Sequence, residues 1–520
     1  MPKTLNLTLS PKQAASTEGW LSVAVRMLGV NRSQVALARV VKRSVDARHQ
    51  TPKVLLTVEI FLDGDEQPAD IHFDYPDVNG HTPVVIVGGG PAGLFAALRL
   101  IELGLRPIIL ERGKAVAERR RDIAQIHRGA GVDGDSNYAF GEGGAGTFSD
   151  GKLFTRSKKR GDYNRALQTL VFHGASPEIL YEAHPHIGTD CLPKIIEHIR
   201  ESILHAGGEF LFGAKVTDIE IRNQRAVGVW VGNTLVEGAA VVLATGHSAD
   251  DIYEMLHAKG VLLEAKPWAM GVRVEHPQAL IDRIQYHSDD MREWLPAASY
   301  TLTSQVAGRG VYSFCMCPGG VIVPAMTDYR ECVVNGMSAS ARSSRWANAG
   351  IVTEVRPEDF SELHEEWGVL AGLKYRQSLE RRAAEIVGGG GAAPAQRLHD
   401  FVAGRISIDL PRTSYLPKAV VRRGEEWLPE FMAQSLRGGF RQWGARMRGF
   451  VTNEAQIIGL ESRTSTPVRI PREKDTLQHP VVGGLYPTGE GAGYAGGIIS
   501  AALDGTRVAE AVVLNLSKSN

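Results

Sequence analysis

The sequence is poor in cysteine, in long apolar runs and in surplus charge. Four cysteines in 520 residues cannot form the disulfide framework of a small secreted domain. The first ten residues, MPKTLNLTLS, lack the apolar stretch of a signal peptide, and no run reaches the ~18 apolar residues of a membrane span. Lys+Arg and Asp+Glu both total 58, so no net charge draws the chain to nucleic acid or to an anionic membrane. These absences predict a soluble, cytoplasmic protein with no membrane partner.

Glycine, in contrast, is abundant and clustered. The 57 glycines in 520 residues exceed the usual share of roughly 7%, which indicates close backbone approaches to a ligand. The length predicts two or three domains. Changes in composition and pattern divide the chain into a small N-terminal α/β domain (1–80), a nucleotide-binding domain in two parts (81–260 and 456–520), and an inserted substrate domain (261–455).

The pattern of apolar residues predicts an α/β fold with a doubly wound domain and an inserted mixed β-sheet. Lys53 to Leu62 and the start of the chain are typical of strands, and Gln34 to Val45 is interpreted as helical. From Pro83 the order is strand, glycine turn, helix and strand. Strand-like runs return at 210–218, 226–231 and 239–245, and a last strand, turn and helix span 484–514.

The strongest motif is Gly88-x-Gly90-x-x-Gly93, which directly follows an apolar strand. The first glycine allows a tight turn, the second lets the backbone approach a pyrophosphate, and the third lets helix and strand pack closely. Pro91 suits the first helical turn, whose free amides favour phosphate. Glu111 ends the next strand at the spacing of an acid that binds ribose hydroxyls and repels a 2′-phosphate. The turn therefore predicts a dinucleotide site.

The same glycine spacing recurs at 141–146 and 491–496, without a preceding apolar strand and a following acid at that spacing. Another glycine run, 388–391, follows a charged helical stretch and is interpreted as a flexible connection. The sequence therefore predicts no second nucleotide-binding domain.

Several long segments resemble a little-characterised family of FAD-dependent, NAD(FAD)-utilising dehydrogenases, within the flavoproteins of the glutathione-reductase and fumarate-reductase type. They are GEGGAGTFSDGKL (141–153), KPWAMGVRVEHP (266–277), RGVYSFCMCPGG (309–320), ESRTSTPVRI (461–470) and GLYPTGEGAGYAGGI (484–498). The resemblance implies an FAD/NAD(P)-binding Rossmann-like fold with FAD as cofactor. The loop at 141–152 lacks a cysteine pair, which excludes a disulfide reductase.

The resemblance also implies roles for individual residues. The expected cofactor contacts are Gly88, Gly90, Pro91, Ala92, Gly93, Glu111 and Arg112 at the nucleotide, Val216 at the adenine, Gly144, Gly146, Thr147 and Ser149 beside the flavin ring, Thr245 and Gly246 in an Ala-Thr-Gly turn, and Gly489, Glu490, Gly496, Gly497 and Ile498 in the C-terminal motif. Related flavoproteins carry Gly-Asp where this chain has Gly489-Glu490. The start of the last helix would stabilise a reduced, anionic flavin.

The candidate catalytic residues are Arg273, His276 and Cys315 in the inserted domain and Arg463 in the second part of the nucleotide-binding domain. Arginine and histidine together could bind a carboxylate substrate and relay a proton; a salt-bridged strand end is the equal alternative. Cys315 and Cys317 could be a redox pair or buried structural thiols, and without further ligands they form no metal site. Arg463 precedes the last cofactor motif, while Asn335 and Arg342 are weaker candidates.

The resulting hypothesis is an FAD-dependent oxidoreductase that moves a hydride between the flavin and a small-molecule substrate, with NAD(P)H as a reductant that docks transiently. Two alternatives stay open. One is an FAD-dependent monooxygenase. The other is an RNA-associated flavoprotein that uses a basic patch in its N-terminal domain, formed by Arg39, Lys42, Arg43 and Arg48. Because the patch lacks aromatic side chains for base stacking, nucleic acid is the less favoured partner.

Overall fold

The computed structural model describes residues 1–155 and 161–519. The strands within these residues are β1 Lys3–Leu9, β2 Val35–Asp46, β3 Lys53–Leu62, β4 Pro83–Val87, β5 Arg106–Leu110, β6 Glu209–Leu211, β7 Val216–Arg222, β8 Arg225–Val231, β9 Thr234–Glu237, β10 Val241–Leu243, β11 Glu264–Ala265, β12 Trp268–Pro277, β13 Thr303–Val306, β14 Arg309–Cys317, β15 Val321–Pro324, β16 Val334–Met337, β17 Trp346–Val355, β18 Ala393–Arg397, β19 Ala419–Val421, β20 Gln456–Glu461, β21 Val468–Arg469 and β22 Leu485–Pro487. The α-helices are α1 Pro11–Ala14, α2 Thr17–Leu28, α3 Pro91–Glu102, α4 Val116–His127, α5 Tyr163–Phe172, α6 Leu192–His205, α7 Asp250–Ala258, α8 Gln278–Tyr286, α9 His364–Trp367, α10 Ala371–Glu385, α11 Leu398–Ala403, α12 Gly424–Trp427, α13 Glu430–Arg446 and α14 Ile498–Ser519.

The N-terminal unit is a three-stranded antiparallel sheet in the order β1-β3-β2. The prediction of a helix over Gln34 to Val45 is wrong, because this segment is strand β2. Its β-branched valines favour an extended chain, and Arg39 forms a cross-strand ion pair of 2.7 Å with Glu59 of β3. The helix of this unit is α2, which Ser16 caps at its start and Gly29 ends in a left-handed conformation.

A five-stranded parallel sheet, in the order β22-β10-β4-β5-β6, forms the nucleotide-binding fold. Its outer strand β22 comes from the end of the chain and pairs with β10. The central strand β4 is apolar and almost fully buried, as expected of a parallel strand that is covered on both faces. Helices α3 and α14 pack against each other on this sheet. The predicted α/β class and Rossmann-like fold are confirmed.

The predicted strand-like run at 210–218 divides into β6, in the parallel sheet, and β7. The strands β7, β8 and β9 make a small antiparallel sheet beside the nucleotide fold. The run at 226–231 lies within β8, and the run at 239–245 contains the shorter strand β10.

The chain between β10 and β22 builds a seven-stranded mixed sheet in the order β13-β14-β17-β12-β20-β18-β19. Strand β12 lies at its centre, and nine of its ten residues are buried. The apolar core of this sheet continues into the N-terminal unit. Among the described residues, no helix combines the length and the apolar character that a membrane crossing requires.

Candidate functional site

A cavity of about 340 Å³ opens between the parallel sheet and the seven-stranded sheet. This volume lies in the range of small-molecule sites, roughly 300–1,000 Å³. Glycine-rich backbone lines one end, which we call the nucleotide end: Gly88, Gly90, Glu111, Arg112 and Val216. Side chains line the other end, which we call the substrate end: Lys152 from the loop between α4 and α5, and Phe314, Cys315, Asn335 and Arg463 from the chain between β10 and β22. Gly144, Gly146, Ser149, Thr245, Gly246, Glu490 and the start of α14 complete the wall.

The three glycines of the first turn have different surroundings. Gly88 has a φ of +106°, and a Cβ there would lie 2.5 Å from the carbonyl oxygen of Ala244. A Cβ on Gly93 would overlap the carbonyl oxygen of Gly88. On Gly90, however, the nearest atom to such a Cβ is 3.8 Å away, on Gly144. Gly88 and Gly93 are therefore required by packing, whereas Gly90 borders open space at the start of α3, where backbone amides can hold phosphate.

Glu111 joins the two glycine loops of the nucleotide end. Its carboxylate accepts hydrogen bonds from the backbone amides of Gly89 (2.8 Å), Gly113 (2.9 Å) and Gly141 (2.9 Å). The side chain is 4% exposed. Glu111 thus positions the loops, and its contact with a ribose stays a prediction. The neighbouring Arg112 is held by ion pairs with Asp135 and Asp251.

The second loop, residues 137–144, is held by a buried arginine of α4. The Arg119 guanidinium donates to the carbonyls of Asn137 (2.7 Å), Glu142 (2.8 Å), Tyr138 (3.1 Å) and Gly144 (2.8 Å). Burial lowers the pKa of Arg119 to about 10, so the guanidinium stays charged at neutral pH. The loop is thereby fixed against Gly90. Sequence reasoning missed Arg119, because its partners are carbonyls that no side-chain pattern reveals.

Within this loop, the predicted contacts divide into two groups. Gly144, Gly146 and Ser149 line the cavity. Thr147 is fully buried, and its hydroxyl donates to the carbonyl of Glu142 (2.7 Å). The structure therefore places Thr147 in the support of the loop and not on the cavity wall.

The C-terminal motif forms the wall at the start of α14. Asp504 of this helix accepts hydrogen bonds from the Gly489 amide and the Thr488 hydroxyl, both 2.9 Å, and pairs with Arg472 at 2.6 Å. An added Cβ on Gly496 or Gly497 would meet no atom within 4 Å. The motif is thus rigid at Gly489, and it leaves space before the positive end of a 22-residue helix.

Glu490 and His247 meet at this wall. The Nε2 atom of His247 lies 3.6 Å from the Glu490 carboxylate. Burial, together with the nearby charge of Cys315, raises the pKa of Glu490 to about 7. Burial and the charges of Arg463 and Arg376 lower the pKa of His247 to about 4, so this histidine is neutral at pH 7. The sequence analysis did not select His247, although it directly follows the Ala-Thr-Gly turn.

At the substrate end, Cys315 lies at a bulge where β14 shifts register against β17. Lys152 and Asp150 also line this end, and the Lys152 ammonium lies 3.7 Å from the Asp150 carboxylate. Asp150 is in turn paired with Arg342 at 2.7 Å. Sequence reasoning missed Lys152 and Asp150 because they belong to a loop that precedes the inserted segment.

The residues of β12 are not on the cavity wall. Arg273 is completely buried and pairs with Glu461 at 2.7 Å, so its charge is already compensated. His276 points into the apolar core, where its Nε2 bonds to the carbonyl oxygen of Phe450 (2.8 Å), and burial lowers its pKa to about 4. Neither side chain lines the cavity, because both are buried in the interior of the protein. They therefore cannot bind a carboxylate there.

Arg463 does line the cavity, but it belongs to a buried ionic cluster. Its guanidinium lies 2.7 Å from Glu331 and 3.1 Å from Glu380, and it donates to the hydroxyl of Thr327 (2.9 Å). Two carboxylates thus compensate its charge, which leaves Lys152 as the less buried cation of the substrate end.

Three family models match separate parts of the chain. Residues 81–128 match the family described as an FAD binding domain, residues 267–464 match that of an FAD-dependent protein, C-terminal domain-like, and residues 1–61 match a domain of unknown function. The first match contains the Gly88 turn, α3, β5, Glu111 and Arg112. The dinucleotide is therefore FAD, and the open space at Gly90, Gly496 and Gly497 fits its close approach.

One full-length relative, an uncharacterized protein of Clostridium beijerinckii, is 39% identical over 508 residues, 94% of each chain. A probable electron transfer flavoprotein-quinone oxidoreductase of Escherichia coli is 25% identical over 222 residues, 41% of this chain and 48% of that protein. The present chain thus matches about half of the length of that protein. A geranylgeranyl bacteriochlorophyll reductase-like structure from Thermoplasma acidophilum has a TM-score of 0.35, with 13% identity over 84% of this chain and 79% of the other.

Proposed function

This chain belongs to the family of FAD-dependent proteins that includes the Clostridium beijerinckii relative, and we propose that it is an oxidoreductase that exchanges a hydride between bound FAD and a small-molecule substrate. The observation that supports this proposal is the continuity of the cavity. One wall carries the FAD-binding turn, and the opposite end is lined by polar and aromatic side chains of the inserted segment. When bound, FAD supplies the hydride chemistry.

The protein's own residues would bind FAD, orient the substrate beside it and shield the reacting groups from water. Gly90 and the start of α3 hold the phosphates, and Gly144 and Gly146 let the backbone approach the cofactor. The start of α14 directs the positive end of its helix dipole into the cavity, which favours negative charge on a group bound there. Phe314 and Phe154 line the cavity with aromatic rings, which would limit water around the reacting groups.

The electron donor is also part of the proposal. The glycine run at 388–391 connects α10 to β18 as a turn, and within the described residues it is not preceded by a parallel strand. We therefore expect NADH or NADPH, if either reduces the flavin, to dock transiently at the substrate end.

The test is anaerobic stopped-flow reduction of the FAD-loaded protein by NADH, NADPH and panels of small carboxylates, alcohols and amines. We expect one class to bleach the flavin absorbance rapidly. Lys152→Met should slow that reduction by about tenfold or more while the flavin spectrum is retained, whereas Cys191→Ser, at an exposed thiol, serves as the matched control.

If no compound reduces the flavin, and chemically reduced protein is reoxidised by no acceptor, the proposal is wrong. Rapid reduction by NADPH followed by a peroxyflavin spectrum in oxygen would instead identify a monooxygenase.

A further inference from the structure

Cys315 lines the cavity and has an unusual backbone conformation. It follows Phe314 in β14, where pairing with β17 is interrupted before Cys317. Its φ of +44° lies in the left-handed region, which few residues with a side chain adopt. The Arg273 guanidinium donates to the Cys315 carbonyl at 3.1 Å, and this bond fixes the bulge. Bulges redirect side chains at functional sites, and here the redirected group is a thiol on the cavity wall.

Two cations and a thiol donor lie around this position. Lys152 lines the same wall, and its ammonium donates to the carbonyl of Met316, the next residue. Arg273 approaches from β12, and Cys317 donates to the Cys315 carbonyl at 3.4 Å. The neighbouring Cys317 side chain, together with the charges of Lys152 and Arg273, holds the pKa of Cys315 well below its usual range.

Three carboxylates lie near Cys315 and these cations, and two of them already form ion pairs. Asp150 is bound to Arg342 and Lys152, and Glu461 is bound to Arg273. The third is Glu490, which within the described part of the chain has no ion pair with lysine or arginine, and whose near neighbour His247 is neutral at pH 7. Glu490 therefore keeps its proton in a pH range where the thiol has lost its own.

We propose that Cys315 is the base of the reaction, and that its thiolate accepts the hydroxyl or amino proton of a substrate held beside the flavin. This inference rests on the proposed hydride exchange. The substrate carbon gives up its hydride to FAD, the attached oxygen or nitrogen gives up its proton to Sγ, and a C=O or C=N bond forms. The substrate class is a neutral alcohol or amine, because the charge of Lys152 already compensates the thiolate.

The same chain contains two reference thiols. Cys191 is exposed, whereas Cys332 is buried, and burial raises its pKa to about 12. Alkylation by iodoacetamide, followed by mass spectrometry of each cysteine, should therefore compare three environments in one sample. In FAD-free protein we expect Cys315 to react fully at about pH 6, where an ordinary thiol is almost entirely protonated. The ultraviolet thiolate absorbance, measured against Cys315→Ser, gives a second readout that does not depend on access.

The neighbours provide matched variants. Lys152→Met and Cys317→Ala should move the alkylation midpoint of Cys315 to higher pH, whereas Lys152→Arg should preserve it. In FAD-loaded protein, Cys315→Ser should slow flavin reduction by about 10²–10⁴-fold and remove the acid limb of the pH profile, with FAD still bound.

The outcomes separate this inference from the proposed function. If Cys315 titrates like Cys191, or shows neither labelling nor thiolate absorbance near neutral pH, the thiolate is excluded. If the thiolate is present but Cys315→Ser reduces the flavin at the wild-type rate, the role as base is wrong and the oxidoreductase stands. If the thiolate is present but no compound reduces the flavin and no acceptor reoxidises the reduced protein, the oxidoreductase fails, and the role as base fails with it.

Discussion

The two ends of the cavity are built from different materials. At the nucleotide end the wall is backbone: the glycines of the Gly88 turn and of the 141–146 loop, whose amides are tied together by Glu111. At the substrate end the wall is made of side chains from separate elements, such as Lys152, Cys315 and Arg463. A binding site made of backbone can be encoded by a few consecutive residues. A side-chain site exists only after distant strands and loops have come together.

The largest effect is expected on the free energy of unfolding, when the buried ion pair between Arg273 and Glu461 is broken. Arg273→Met would leave Glu461 without its ion pair in the centre of the sheet. Because breaking a buried pair leaves an uncompensated charge, the free energy of unfolding should fall by about 3–5 kcal/mol, as measured by urea denaturation. The double variant Arg273→Met with Glu461→Gln should recover part of this loss. A decrease below about 1 kcal/mol in the single variant would mean that the pair does not support the fold.

The nucleotide end should respond differently, in binding and not in stability. Gly90→Ala adds a methyl group where the protein leaves room, so the variant should fold normally. The same methyl would occupy the approach of the FAD phosphates, and affinity for FAD should fall by about 100-fold. Fluorescence titration of the FAD-free protein measures this change. Gly93→Ala is the matched comparison, because there the methyl overlaps the Gly88 carbonyl and should destabilise the fold itself.

If Gly90→Ala binds FAD as tightly as the wild type, the open space beside Gly90 is not the phosphate approach. Gly90 would then not be a glycine that faces the ligand, and it would no longer differ in that way from Gly93, which packing requires.

The smallest effect is expected at Glu490, between the two ends. Its pKa in the folded protein is raised from 4.5 to about 7. The unfolded chain therefore loses the proton first, and the folded state loses stability as the pH rises from about 4.5 through 7. Glu490→Gln should remove this dependence and make the protein about 1–2 kcal/mol more stable than the wild type near pH 8.

Urea denaturation of the FAD-free protein at about pH 5 and pH 8 measures the difference. Glu293→Gln, at an exposed glutamate, is the control and should leave it unchanged. An equal effect of both variants at pH 8 would mean that Glu490 has no special environment.

The sequence predicted those features of the protein that depend on residues close together along the chain. The contiguous Gly88 motif predicted a dinucleotide site in a doubly wound domain, and the resemblance of several segments to known flavoproteins implied FAD. The helix predicted over Gln34 to Val45 was wrong because tertiary pairing with β3 decided a segment whose local pattern was ambiguous.

The candidate catalytic residues show the other limit of the sequence. Arg273 was predicted to bind a carboxylate substrate or to belong to a salt-bridged strand end, and its partner is Glu461, 188 positions away along the chain. Lys152 and His247 gave no signal, because only the assembled cavity brings them beside Cys315 and Glu490. Local motifs therefore predict a dinucleotide site, whereas the reacting groups require the tertiary structure.

The position of β22 and α14 has a consequence for biosynthesis. Strand β22 is the last strand to join the parallel sheet, and α14 packs against α3, the helix that follows the first glycine turn. A ribosome releases these elements only after the whole seven-stranded sheet has been translated. The strands of the seven-stranded sheet can therefore pair during synthesis before the nucleotide fold is closed. The cofactor pocket is completed by segments translated after the seven-stranded sheet, so a nascent chain that stops before β22 lacks one wall of the flavin site.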